Sequence, residues 1–222
     1  MRGIFTKDME ILKANVKTFA AVYVIAFVCF LSTSAGPSFL ISYVSILAAV
    51  MALNVIANDD MNNSMAFLFT LPVSRKSYVK EKYLLGAGMV TVLWLAAIII
   101  AGVVNITGFR QVPWDELMIS AAGGISIAIF AEVILFPVQL KYGSNAGRIV
   151  LFVLVFGTMA VGRLVLEVCD RFYIDLSFWE KLAHRVIELG APVYLSGLFA
   201  LLLIMLLLSC TISIKIMEKK EY

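Results

Sequence analysis

The sequence predicts an all-α integral membrane protein of six transmembrane helices, and three observations carry that expectation. Of its 222 residues, 62% are hydrophobic and 15% charged, with a mean hydropathy of +0.96, whereas soluble domains run at roughly 45–50% apolar and about 25% charged. Six apolar stretches approach the roughly 20 residues that a helix needs to cross about 30 Å of hydrocarbon. The lysines and arginines, finally, alternate in density between the segments that join those stretches. With the six stretches set aside, too little chain remains for a separate aqueous catalytic domain.

Taken in order, residues 1–17 carry Phe5, Met9, Leu12 and Val16 on one helical stripe, with Lys7, Glu10, Lys13 and Lys17 on other faces. This is the pattern of an amphipathic helix lying on a membrane surface. It reads equally as a surface anchor and as a mechanical element in a complex. The first two spans, 18–34 and 39–56, are joined by Gly36 and Pro37 and should form a tight hairpin.

The loop 57–83 follows. Asn58 or Asp59 can cap a short helix there, Met61, Met65 and Leu68 share one of its faces, and Pro72 ends it. Such a helix, with Phe67 and methionines to bury, suits either a bilayer-immersed connector or docking to a partner. Ser74 can cap the next helix, which runs through Arg75, Tyr78 and Lys82 into the third span, 84–104. The fourth and fifth spans are placed at 117–139 and 149–168. Residues 169–190 interleave Phe172, Tyr173, Phe178 and Trp179 with charged residues, as interfacial or re-entrant helices do, and the sixth span covers 191–214.

Basic residues beside a span are retained on the cytoplasmic side. Arg2, Lys7, Lys13 and Lys17, then Arg75, Lys76, Lys80 and Lys82, then Lys141 and Arg148, then Lys215, Lys219 and Lys220 all fall on one side. Arg110, Arg163, Arg171, Lys181 and Arg185 fall on the other. Both termini are therefore expected in the cytoplasm. The basic start, the apolar run 19–31 and the small residues after it imitate a cleavable leader. Removing that span would reverse the charge pattern, so it is read as a retained crossing.

The formal net charge is only +3, and the basic residues sit beside apolar stretches, where anionic headgroups and topology explain them. No nucleic-acid partner is implied. Cys29, Cys169 and Cys210 form neither a disulfide framework nor a metal-ligand spacing, and His184 is the one histidine, so no metal site is expected. The chain holds no phosphate-binding GxxxxGK[ST], no HExxH and no GxSxG, which gives no catalytic residue and no nucleotide cofactor of its own. Within the spans, Glu132 and the i, i+4 pair Arg163 and Glu167 are the ionisable residues at membrane depth. They read as a polar lining for a translocation path or as structural pairs, and Glu132 also as a proton relay. Gly123 with Gly124, and Gly157 with Gly162, are expected to let helices pack closely.

Two stretches carry a family resemblance. Leu71-Pro72-Val73-Ser74-Arg75 and the following Val79, Lys82, Tyr83 and Leu84 resemble the LPVSRxxxVxxKYL signature of ABC-2 type permease subunits. Pro137, Lys141, Tyr142, Gly143 and Arg148 are similar to a second conserved-looking run of the same small permeases. Within that superfamily the chain most resembles the permeases of phenol-soluble modulin exporters. The resemblance implies a type V ABC exporter fold with a connecting helix at Phe5, Met9, Leu12 and Val16. It implies a coupling helix that meets an ATPase through Asp59, Asp60, Met61, Met65, Phe67, Leu68, Leu71 and Arg75. It further implies a bacterial cytoplasmic membrane location, two separate ATPase subunits that bind ATP and Mg, and a second permease, identical or a close paralogue, among membrane lipids. Amphipathic membrane-active peptides are the expected substrate; drugs, lipids and bacteriocin immunity are alternatives. A proton-coupled transporter using Glu132 and a plain membrane anchor are the readings from other classes.

Overall fold

The computed structural model describes residues 2–32, 36–60, 65, 68, 70, 73–109, 111–172 and 191–220. Among these the chain forms seven helices: α1 (Arg2–Ala14), α2 (Val16–Ser32), α3 (Gly36–Asp60), α4 (Arg75–Ile106), α5 (Trp114–Tyr142), α6 (Ser144–Phe172) and α7 (Ala191–Lys219). Helices α3 and α5 form the central pair, with α4, α6 and α7 packed around them and α2 against α3.

Four helical stretches are long and apolar enough to cross a membrane: Gly36–Asp60, Arg75–Ile106, Trp114–Tyr142 and Leu195–Lys219. The bent pair Gly3–Ala14 and Val16–Ser32, which meets at 53°, brings the count to five among the described residues. The bend falls at Asn15, whose side-chain amide donates to the Ile11 carbonyl at 2.8 Å. The stretch expected to be the fifth of six spans, 149–168, lies within α6, whose described apolar part is Ser144–Leu154. The expected helices at 169–190 lie outside the described residues beyond Phe172, as does the loop helix apart from 58–60, Met65, Leu68 and Thr70; α3 runs on through Asp60, so Asn58 and Asp59 belong to the end of that long helix and do not cap a separate one.

Helix α4 shows why sequence and structure agree where they do. Ser74, extended at φ −79° and ψ 143°, accepts a hydrogen bond from the Ser77 amide, the expected cap. At 32 residues the helix is about 48 Å long, so its first turns project beyond a hydrocarbon layer of about 30 Å. Its far end is closed by Asn105, which donates to the Val112 carbonyl (3.0 Å) and accepts from the Val112 amide (2.9 Å), turning the chain into α5.

Proline inside α5 is accommodated by another helix. Pro137 has no N–H to offer the carbonyl of Val133, four residues earlier. The Ser209 hydroxyl of α7 donates to that carbonyl at 2.7 Å, and Tyr83 of α4 meets both Ser209 (2.7 Å) and Ser213 (2.8 Å). A polar seam thus joins α4, α5 and α7 inside an apolar core of Tyr78, Leu135, Phe136, Leu140 and Met217.

Close helix approaches fall partly where expected. A side chain on Gly124 would meet Ile41 Cγ2 at 2.7 Å, so α3 and α5 touch there, whereas Gly123 and Gly157 face open space. Gly86 of α4, by contrast, lies against Phe136 and Glu132 of α5.

Candidate functional site at the base of the bundle

Five helix ends meet at one end of the bundle, here termed the base, and polar side chains tie them together. Asp60, at the end of α3, accepts from the Ser144 amide at 2.8 Å and so caps α6. The intervening Gly143 has φ +88°, and a Cβ there would fall 2.9 Å from the same carboxylate, so glycine is required on both counts. Arg75, at the start of α4, donates to the carbonyls of Met217 (3.3 Å) and Glu218 (2.9 Å) at the end of α7. Lys220 donates to the Leu140 carbonyl of α5 at 3.2 Å. These are the last carbonyls of two helices, where cationic donors are favoured.

The densest part of the base is a buried ion cluster built by three elements. Lys82 of α4 is 1% exposed and Asp8 of α1 is fully enclosed, and the two form an ion pair. Lys82 also meets Asp59 of α3 at 2.7 Å. Tyr78, one turn before Lys82, donates to Asp59 at 3.0 Å, and its ring lies 5.1 Å from the lysine nitrogen. Lys7 closes the group from outside, pairing with Asp59 and lying 3.5 Å from Asp8.

Glu81 adds a third carboxyl, 3.9 Å from Lys82. It lies in the projecting turns of α4, ahead of the apolar stretch that begins at Leu84. With all five groups ionised the cluster would carry one excess negative charge. Burial pushes the Glu81 carboxyl up to about 7; Lys82 pulls the other way, and the negative Asp8 and Asp59 add to the rise. Neither Glu81 oxygen nor Asp8 Oδ1 has a hydrogen-bond partner in the ionised arrangement. A proton on one Glu81 oxygen, shared with Asp8, gives those two carboxyls a hydrogen bond and leaves two lysines balanced against two aspartates.

The expected site residues are distributed over this base and beyond it. Asp59 belongs to the ion cluster, and Asp60 and Arg75 bind helix ends. Met65 and Leu68 are buried in the same apolar cluster as Ile4, Tyr78 and Met217. Met61, Phe67 and Leu71 lie outside the described residues. Along α1, Phe5 and Met9 are exposed and Leu12 half-buried, while Ile4 and Asp8 face the bundle; Val16, also exposed, is the first residue of α2, beyond the bend. The helix therefore presents an apolar stripe outward and holds on through the opposite face.

Glu132 is fully buried between α4 and α5, with no hydrogen-bond partner on either oxygen. Arg163 and Glu167 lie on the exposed side of α6, and no ion pair joins them among the described residues. The structure thus does not bring the three expected path residues into one lining. No group of three or more potential metal ligands occurs among the described residues.

Sequence reasoning missed Asp8, Tyr78, Glu81 and Lys82. In the sequence Lys82 reads as a basic residue beside a span and as part of the family signature, and Asp8 carries no signal of its own. The available signal was the spacing of Tyr78, Glu81 and Lys82, which places all three on one side of a helix.

A base of this kind can act mechanically. It fastens the N-terminal helix to the two helices that flank 61–74, so that these parts move together. No curated protein and no solved structure matches the chain. The family model for the ABC-2 family transporter protein matches residues 3–218. The match spans α1 and all the helices that follow, and the chain is a multi-pass membrane protein that belongs to the ABC-2 transporter family.

Proposed function

We propose that this chain is the membrane-spanning permease subunit of an ATP-driven exporter in a bacterial plasma membrane. The observation that carries the reading is the family match over residues 3–218, since ABC-2 membrane proteins generally work with an ATPase subunit. ATP and Mg are bound by two separate ATPase chains, and this chain contributes no catalytic residue. A second permease, identical or a paralogue, completes the complex. The helices are read as six spans with both termini in the cytoplasm, which the distribution of basic residues supports. The base of the bundle is then its cytoplasmic end.

In this reading the ATPase pushes on the segment 61–74 and on the outward stripe of Phe5 and Met9. Buried Met65 and Leu68 pass the displacement to the core, and the ion cluster keeps α1, α3 and α4 in step. Amphipathic membrane-active peptides are the proposed substrate, a reading that rests on the chain's resemblance to the permeases of phenol-soluble modulin exporters and on its apolar, lightly charged spans. The test is ATP hydrolysis by the cognate ATPase subunit reconstituted with this chain in lipid nanodiscs, with and without an amphipathic helical peptide. Stimulation by the peptide is the expected result. Unchanged hydrolysis in a stably associated complex would overturn the peptide assignment, and failure to associate would overturn the permease reading.

The buried Glu132, with neither oxygen hydrogen-bonded, favours one second reading, a proton-coupled transporter. Transport that persists without the ATPase subunit and collapses with the proton gradient would establish it instead.

A further inference from the structure

We propose that a groove between the C-terminal ends of α5 and α7 is a binding site for one anionic phospholipid of the inner leaflet. The groove has a volume of about 450 Å³ and is lined by Lys141, Ile212, Lys215, Ile216, Lys219 and Lys220. Four lysines converge there without an acidic residue in the lining. Glu218, in the same turn, is engaged instead by Lys76 of α4 at 3.2 Å.

Two of the lysines have a local explanation. Lys220 binds the Leu140 carbonyl, and Lys141 lies 4.8 Å from the ring of Tyr142, both at the negative end of α5. Lys215 and Lys219 are exposed and one turn apart on α7, with Ile212 and Ile216 interleaved on the same face. A phosphate among these ammonium groups gains charge-assisted hydrogen bonds, and an anionic leaflet favours each lysine near its surface.

The apolar half of the ligand has a track as well. Leu201, Ile204, Leu208 and Ile212 are all exposed and recur every three or four residues, forming one unbroken stripe up the face of α7 that ends in the lysines. At about 1.5 Å per residue the stripe runs about 16 Å, close to the half-thickness of a hydrocarbon core of about 30 Å. Charge at one end and one leaflet of apolar length at the other fit a phospholipid and not a free phosphate. The proposal depends on the membrane placement of α7 and not on what the protein transports.

The experiment is native mass spectrometry of the full chain with its cognate ATPase subunit, exposed in mild detergent to equal amounts of phosphatidylglycerol and phosphatidylcholine. Phosphatidylglycerol is expected to be retained preferentially, with retention falling about fivefold for each lysine removed in Lys215→Gln and Lys219→Gln. Both side chains are exposed, so the variants keep the wild-type melting temperature. Lys80→Gln, a basic change on the exposed face of α4, leaves retention unchanged, and millimolar inorganic phosphate does not displace the lipid. Leu208→Ala with Ile212→Ala lowers retention while leaving every lysine in place. Equal retention of the two lipids would overturn the proposal, as would an equal loss in the α4 control or displacement by phosphate.

Discussion

Lys82 and Asp8 form an ion pair across 74 positions of sequence, and both side chains are shut off from solvent. Charges so enclosed are costly unless every one is paired. The pair helps fix where α1 lies, since that helix turns Phe5 and Met9 away from the bundle and meets it through Ile4 and Asp8.

Removing one partner leaves the others buried and uncompensated. Lys82→Met should therefore destabilise the protein by about 3–5 kcal/mol and release α1. Thermal unfolding and limited proteolysis near Asn15 read the two effects. Asp8→Asn together with Lys82→Met removes opposite charges and should cost less than the sum of the single changes.

Glu81 predicts a pH dependence. Its folded pKa of about 7 lies above the ordinary carboxyl value of 4.5, so the proton it holds stabilises the fold fully below the lower value. That contribution is lost as pH rises through about 7. Glu81→Gln, always neutral, should raise the melting temperature at pH 8 relative to wild type, with the gain vanishing near pH 4.5. A constant difference across that range would show that Glu81 gives up its proton without cost.

The Pro137 repair predicts a specific loss at a distance. Ser209→Ala strands the Val133 carbonyl and one partner of Tyr83. It should cost about 1–3 kcal/mol, measured as a lower melting temperature, whereas Thr211→Ala, whose hydroxyl bonds within its own helix, should cost far less.

Helix contact at Gly86 gives a steric prediction. A methyl group there would lie 2.7 Å from Phe136 Cζ and 2.8 Å from Glu132 Oε1. Gly86→Ala should destabilise by about 1–3 kcal/mol, and Gly123→Ala, facing open space, should be neutral in the same thermal assay.

Much of the fold was legible because apolar length and caps are local properties. Ser74 capped α4 where its side chain said it would, whereas Gly36 and Pro37, expected as the turn between the first two spans, are the first residues of α3. Six spans were expected; among the described residues four stretches, or five with the bent pair, satisfy length and apolarity. The first span is a 17-residue helix that qualifies only with α1 attached. The base of the bundle was far less legible. Lys82, Asp8 and Asp59 come together only through tertiary packing, and the shared helix side of Tyr78, Glu81 and Lys82 does not reveal which distant groups bury it. Glycine contacts failed for the same reason: Gly124 and Gly123 read alike, and only the helix rotation decides which meets Ile41.

The central claim is that the Asp8–Lys82 tie carries motion between the N-terminal helix and the bundle. Charge reversal tests it most directly: Asp8→Lys, Lys82→Asp and the double reversal, each reconstituted in lipid vesicles with the cognate ATPase subunit and assayed for ATP-dependent peptide transport. Each single reversal should reduce transport about tenfold with the ATPase subunit still bound, and the double reversal should restore most of it. Full transport in the single reversals, or a double reversal no better than either, would contradict the account.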